Sequence, residues 1–167
     1  VGQGYTELLP FIKNNEIRNM LMTFAAREVV HQRAYALAAE TFGFSSNDWQ
    51  AFADYKEMVD KLEVMSEDFA PEGCRDELRA AIKITQIFLG EGMGLFGAFA
   101  TLLNQKRSGI LNGFNDINEW SLKDEQEHVL KNILVVKEME YDLTEVERIV
   151  LREVTFKLVE AYKNVEN

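Results

Sequence analysis

The chain contains two histidines, and each closes the same four-residue phrase: Glu28-Val29-Val30-His31 and Glu125-Gln126-Glu127-His128. On a helix, positions three apart share a face, so each phrase aims a carboxylate and an imidazole at one point. Helical bundles use this Glu-x-x-His spacing on two facing helices to hold a pair of metal ions. A chain with both phrases is thereby constrained to bring two helices face to face, with four ligands around one centre. In a sequence with 28 acidic residues among 167, one such phrase arises easily by chance. Capture of both histidines does not.

The length is that of a single domain, 1–167, and 47 % hydrophobic residues can fill a substantial core. With only two prolines and no serine- or glycine-rich stretch there is no interdomain linker, and no repeat or low-complexity segment is present. A net charge of −10 argues against nucleic acid or an anionic membrane as the main partner. No run of about 18 apolar residues is evident, so no membrane-spanning segment is expected. The one cysteine, Cys74, rules out an internal disulfide and fits a reducing cytosol. Beside Pro71 and Gly73, at an expected helix start, it reads as an inert thiol rather than a reactive one. The N-terminus lacks the basic-then-apolar plan of a signal peptide, and the abrupt start at Val1 without a methionine, with a stop inside helix at Asn167, reads as a fragment.

Apolar residues recur at helical spacing almost throughout, and strand-like alternation is absent. A first long helix is expected from about Asn14, capped by Asn15, to about Thr41, ended by Gly43, with Met20, Phe24, Glu28, His31 and Tyr35 facing inward. Ser45 to Asp48 cap a second, from Trp49 to about Met65. A third runs from about Arg75 to Lys106, a fourth from about Asn115 to Glu140 and a fifth from Glu145 to Tyr162. Four long helices with short connections around one polar cluster describe an all-α bundle. Gly92, Gly94 and Gly97 permit close helix packing rather than phosphate binding, because no strand precedes them.

Within the apolar centre of the third helix one charge stands alone, Glu91 in Leu89-Gly90-Glu91-Gly92-Met93. A glutamate facing a core costs several kcal/mol unless it is paired or bound to metal. The bland alternative is a solvent-facing Glu91, but Phe88, Leu95, Phe96 and Phe99 surround it at helical spacing. With Glu28, His31, Glu125 and His128 it makes five carboxylate and imidazole ligands, a donor set suited to Fe(II) or Mn(II). Tyr35 follows His31 by one turn. A core tyrosine usually has its hydroxyl satisfied by a neighbour, here expected to be the metal site. Beside a centre that activates dioxygen, a phenol is also a one-electron donor.

The run Phe24-Ala25-Ala26-Arg27-Glu28-Val29-Val30-His31-Gln32-Arg33-Ala34-Tyr35 resembles the metal- and radical-bearing helix of the class I ribonucleotide reductase small subunit. Lys123-Asp124-Glu125-Gln126-Glu127-His128 resembles that family's (Arg/Lys)-Asp-Glu-x-x-His signature, and Glu91, 34 residues before Glu125, stands where the family places an intervening glutamate ligand. The resemblance extends from near Val1 to at least Lys131 and includes Asn14-Asn15-Glu16-Ile17-Arg18. It implies a ferritin-like four-helix bundle core with additional helices, a homodimer, a cytoplasmic location and a large catalytic subunit as partner. It implies two carboxylate-bridged iron or manganese ions, with Glu28 and His31 on one side and Glu91, Glu125 and His128 completing the site. Tyr35 would be oxidised to a stable radical. Asp124 would hold a ligand imidazole and take part in proton-coupled transfer to the large subunit. Leu95 and Phe99 would shield the radical, and Ser121 is polar where an apolar pocket residue is expected.

The resemblance also implies a further ligand, an aspartate that falls just before Val1, and a tryptophan upstream of it that begins the radical route. Downstream it implies a flexible tail with a relay tyrosine, a role that Tyr162, inside a helix, does not fill. Two other readings stand beside this one: another ferritin-like di-metal oxidase or oxygenase, whose substrate enters a cavity by the cluster, and a metal-free truncated helical scaffold.

Overall fold

The computed structural model describes residues 2–166 and, within them, every side chain but that of Phe52. Its elements are α1 (Gly2–Leu8), a 3-10 turn (Leu9–Phe11), α2 (Asn15–Thr41), α3 (Ser46–Ala53), α4 (Lys56–Ser66), α5 (Asp76–Leu89), a π-helical segment (Gly90–Gly94), α6 (Phe96–Lys106), α7 (Asn112–Glu140) and α8 (Glu145–Glu166). Among the described residues there is no strand, as the periodicity predicts. The two chain ends, Val1 and Asn167, lie outside the described residues.

Local chemistry sets most boundaries. Asn14, not Asn15, caps α2: its extended backbone lets Oδ1 accept from the Glu16 and Ile17 amides at 2.9 and 3.3 Å. Ser45 and Asp48 bond each other reciprocally at the start of α3, and Thr144 and Glu147 do so at the start of α8. The single helix expected over 49–65 is two, because Tyr55 takes an extended conformation (ψ 120°) and ends the ladder before α4. The last helix continues past Tyr162 to Glu166, and α7 begins at Asn112, three residues earlier than expected. The seven-residue α1 is an addition. It rests on α2 and α5.

At the middle of the bundle, α5 is buried almost all round, through Leu78, Ala81, Ile82, Ile84, Ile87 and Leu89, and packs against α1, α7 and α8. The stretch Asp76–Lys106 contains an 18-residue window with a mean hydropathy of 1.3, long and apolar enough by length and composition alone to cross a membrane. The core helices of bundles pass the same test of length and composition, so it does not make the segment a membrane span. Leu158 of α8 is fully buried in this core. Leu158→Ala is expected to lower unfolding free energy by about 2–5 kcal/mol in urea titrations, and a loss below about 1 kcal/mol would contradict this packing.

The third helix is not continuous. Five residues around Glu91 adopt a wide π turn, and the chain turns at Leu95 before α6. The glycines here allow close approach: an added Cβ at Gly90 would lie 2.9 Å from the Tyr162 hydroxyl, and at Gly92 3.2 Å from Val129. Tyr162 is buried against this segment and donates to the Gln86 carbonyl at 3.2 Å.

Candidate metal centre

Three segments meet at the centre of the bundle. From α2 come Glu28 and His31, from the π segment Glu91, and from α7 Glu125 and His128, all five buried. One ligating atom each from Glu28, Glu91, Glu125 and His128 falls within 4.8 Å of the others. His31 joins through the carboxylates: its Nδ1 lies 3.0 Å from Glu125 Oε1 and 3.5 Å from Glu28 Oε1. His128 Nδ1 lies 3.3 Å from Glu125 Oε2 and 3.5 Å from both Glu28 and Glu91. Glu125 therefore offers one oxygen to each imidazole, and Glu28 Oε1 is equidistant from both.

The side of α7 that faces the core is polar along most of its length. Asn115, Asn118, Ser121, Glu125, His128 and Asn132 recur every three or four residues and are all buried, before Val135 and Met139 restore an apolar surface. Glu91 is 2 % exposed, which removes the solvent-facing alternative. Its carboxylate accepts the Tyr5 hydroxyl at 2.8 and 2.7 Å, and Asn132 Nδ2 donates to Tyr5 Oη at 2.6 Å. Neither Tyr5 nor Asn132 was expected from the sequence.

Around His31, Nε2 lies 3.1 Å from Asp124 Oδ2, and Arg27 donates to the other Asp124 oxygen at 3.2 Å. Such an outer carboxylate fixes the ring and leaves Nδ1 as the inward-facing nitrogen. Tyr35 departs from expectation. Its hydroxyl donates not to the cluster but to Asn118 Oδ1 at 3.0 Å, and Asn118 in turn donates to the Phe99 carbonyl at 3.3 Å. Burial pushes the Tyr35 phenol up, opposed by the polar neighbour Ser121. Phe99 is buried and Leu95 half-buried, but Phe96 is 63 % exposed. Beside Glu91 and Glu125 opens a cavity of about 310 Å³, walled by Phe96, Phe99, Leu122 and Val129.

The electrostatics are those of a centre short of positive charge. Burial raises Glu91 to about 7, despite its contact with His128. Hydrogen bonds to Glu125 and then Glu28 raise His31 to about 10. For His128, burial lowers the value, but Glu125 and Glu91 outweigh it and the group is held at about 9. Glu125 is lowered, its burial overcome by the two imidazoles. Glu28 Oε1, Glu125 Oε2 and His128 Nδ1 are buried without a hydrogen-bond partner. Buried polar atoms rarely remain so. Three orphaned atoms of metal-ligating type, aimed at one point, fit a divalent cation, and the mixed carboxylate–imidazole donors fit iron or manganese.

Compared with known families, residues 2–167 match the family of the ribonucleotide reductase small chain. The chain belongs to this family. Among curated relatives, it is 34 % identical over 136 residues to the probable ribonucleoside-diphosphate reductase small subunit 376L of Invertebrate iridescent virus 6. It is 30 % identical over 143 residues to the corresponding subunit 048L of Invertebrate iridescent virus 3. The matches cover 74 % and 77 % of this chain but 38 % of each relative's length. No solved structure matches it. The all-α fold agrees with the ferritin-like bundle of ribonucleotide reductase small chains, and the family uses a di-metal centre.

Proposed function

We propose that this chain forms the metal- and radical-bearing part of an aerobic ribonucleotide reductase small subunit. The observation that carries this reading is Glu125, whose two oxygens face two different imidazoles, His31 and His128, at 3.0 and 3.3 Å. Glu125, and Glu28, whose Oε1 is equidistant from both rings, would hold metal beside either imidazole, and Glu91 would hold it beside His128. Two bound iron or manganese ions would supply oxidising power toward a phenol.

The remaining steps belong to the chain's own residues. Asp124, anchored by Arg27, keeps a proton on His31 Nε2 and so frees Nδ1 for the centre. Tyr35 is the electron donor, and its phenolic proton, held at Asn118 Oδ1, must leave when the electron does. Phe99 and Phe114, whose ring meets Tyr35 edge-on at 5.8 Å, restrict water at that phenol. The oxidising equivalent is then passed on to a large catalytic subunit, where the ribonucleotide binds. In the parent protein the small subunit works as a cytoplasmic homodimer.

The test is metal loading followed by electron paramagnetic resonance. Two ions per chain and a tyrosyl radical that disappears in Tyr35→Phe, with metal content unchanged, are expected. A folded, helical chain that binds no iron or manganese would overturn the reading. The cavity of about 310 Å³ beside Glu91 and Glu125 favours a second reading, oxidation of a small apolar substrate. That reading requires substrate oxidation to survive Tyr35→Phe.

A further inference from the structure

The two histidines are supported in different ways. His31 has Asp124 behind it, as above. Among the described residues His128 has no such outer carboxylate, but the glutamate beside it, Glu91, is gripped from two other elements. Tyr5, on α1, is fully buried, and its hydroxyl lies at hydrogen-bond distance from both Glu91 oxygens, 2.8 and 2.7 Å. Asn132, one turn beyond His128 on α7, is also fully buried. Its amide donates to Tyr5 Oη at 2.6 Å and, more weakly, to Glu91 Oε2 at 3.4 Å.

The direction of these bonds matters. Asn132 donates to the phenol oxygen, and the phenol's one hydrogen is directed at Glu91. Glu91 stands on a π turn flanked by glycines, so its own backbone neighbours supply no side chain to restrain it. Three rotatable bonds would otherwise let the carboxylate swing. The Tyr5 ring is itself wedged edge-on against Phe24 at 5.6 Å and His128 at 6.0 Å, which fixes where its hydroxyl can reach.

We infer that Tyr5 and Asn132 are positioning residues that hold Glu91 for the metal position beside His128, the counterpart of Asp124 behind His31. The inference rests on the two-metal reading above. It concerns one of the two positions, so losing the Tyr5 hydroxyl weakens that position and spares the other. Outer partners of metal ligands typically contribute roughly 10–100-fold in affinity, and an effect of that size is expected at the His128 position.

The experiment titrates the chain with Co(II) and follows the visible ligand-field spectrum, with far-ultraviolet circular dichroism and melting recorded for every variant. Wild type is expected to take up two ions. Tyr5→Phe should keep one at wild-type affinity, weaken the other by about 10–100-fold and change the spectrum of the weakened site. Asn132→Leu, similar in volume and removing an amide whose Oδ1 has no hydrogen-bond partner, should shift the same site in the same direction. Tyr162→Phe is the control, since its equally buried hydroxyl bonds a backbone carbonyl instead. Two ions bound at wild-type affinity in Tyr5→Phe and Asn132→Leu would overturn the inference while leaving the metal reading standing. Equal weakening by Tyr5→Phe and Tyr162→Phe would overturn it as well, by showing a general packing effect. A wild type that binds no cobalt would overturn the metal reading, and this inference with it.

Discussion

Glu125→Ala is expected to abolish metal binding at both positions, whereas Glu91→Ala leaves partial binding. Glu125 is the one residue of the cluster with a separate oxygen for each imidazole, 3.0 Å from His31 and 3.3 Å from His128. Its removal takes a shared anion from both positions together. The loss should exceed the roughly 10–100-fold that follows from deleting an outer-shell partner. Glu91→Ala, by contrast, should keep the His31 position. Equilibrium dialysis against Mn(II), with metal counted per chain, separates these outcomes. A Glu125→Ala chain that still holds one ion at wild-type affinity would show that this carboxylate is not shared.

The second large effect is on protons. Without metal, the cluster balances its carboxylates with imidazolium charge. His31, held at about 10, and His128, at about 9, both lie above the ordinary 6.5. The stabilisation they lend is complete below pH 6.5 and is lost as pH rises through 9 and 10. Glu91, raised by burial from 4.5 to about 7, binds its proton more readily folded than unfolded, so it also removes stability as pH rises between those values. Glu125, lowered, works on the acid side: its contribution is present above the ordinary glutamate range and fades as pH falls below it.

The metal-free chain should therefore melt highest at about pH 4.5–5 and progressively lower toward pH 10. Metal reverses the trend, because ligands must shed protons to bind it. At pH 7, loading both positions should release about two to three protons per chain: one from each imidazolium and a fraction from Glu91. Calorimetric titrations in buffers of different ionisation enthalpy measure this number directly. Release of less than one proton, or a metal-free melting temperature that climbs between pH 7 and 10, would mean that the histidines are not charged partners of these carboxylates.

Much of the site was legible because its chemistry repeats at helical spacing. Glu28, His31, Glu125 and His128 announce themselves through two identical phrases, and Glu91 through being one charge in an apolar stretch. Asn118 and Asn132 carried the same signal unread. They fall on the period of Glu125 and His128, where a buried stripe of amides is as informative as one of leucines. Tyr5 had no such signal. A seven-residue helix is too short to show a period, and its placement comes from contact with α2 and α5 rather than from local preference. The partner of Tyr35 was mistaken for a related reason. Helical spacing says which face a side chain leaves from, but not how far along a neighbouring helix its hydroxyl reaches, and Asn118 lies two turns before Glu125.

The π turn at Gly90–Gly94 acts on all that follows it as a phase shifter. A π turn carries one residue more than the α turn it replaces. Each residue advances an α-helix by about 100°, so the register of side chains after the turn is rotated against the register before it. Any count in steps of three and four that begins in α5 is then out of phase by the time it reaches α6. Phe96, which reads as inward by such a count, is exposed. The length of this segment is thus as informative as its composition: losing one residue would leave the helix count unchanged and turn a different face of α6 toward Tyr35.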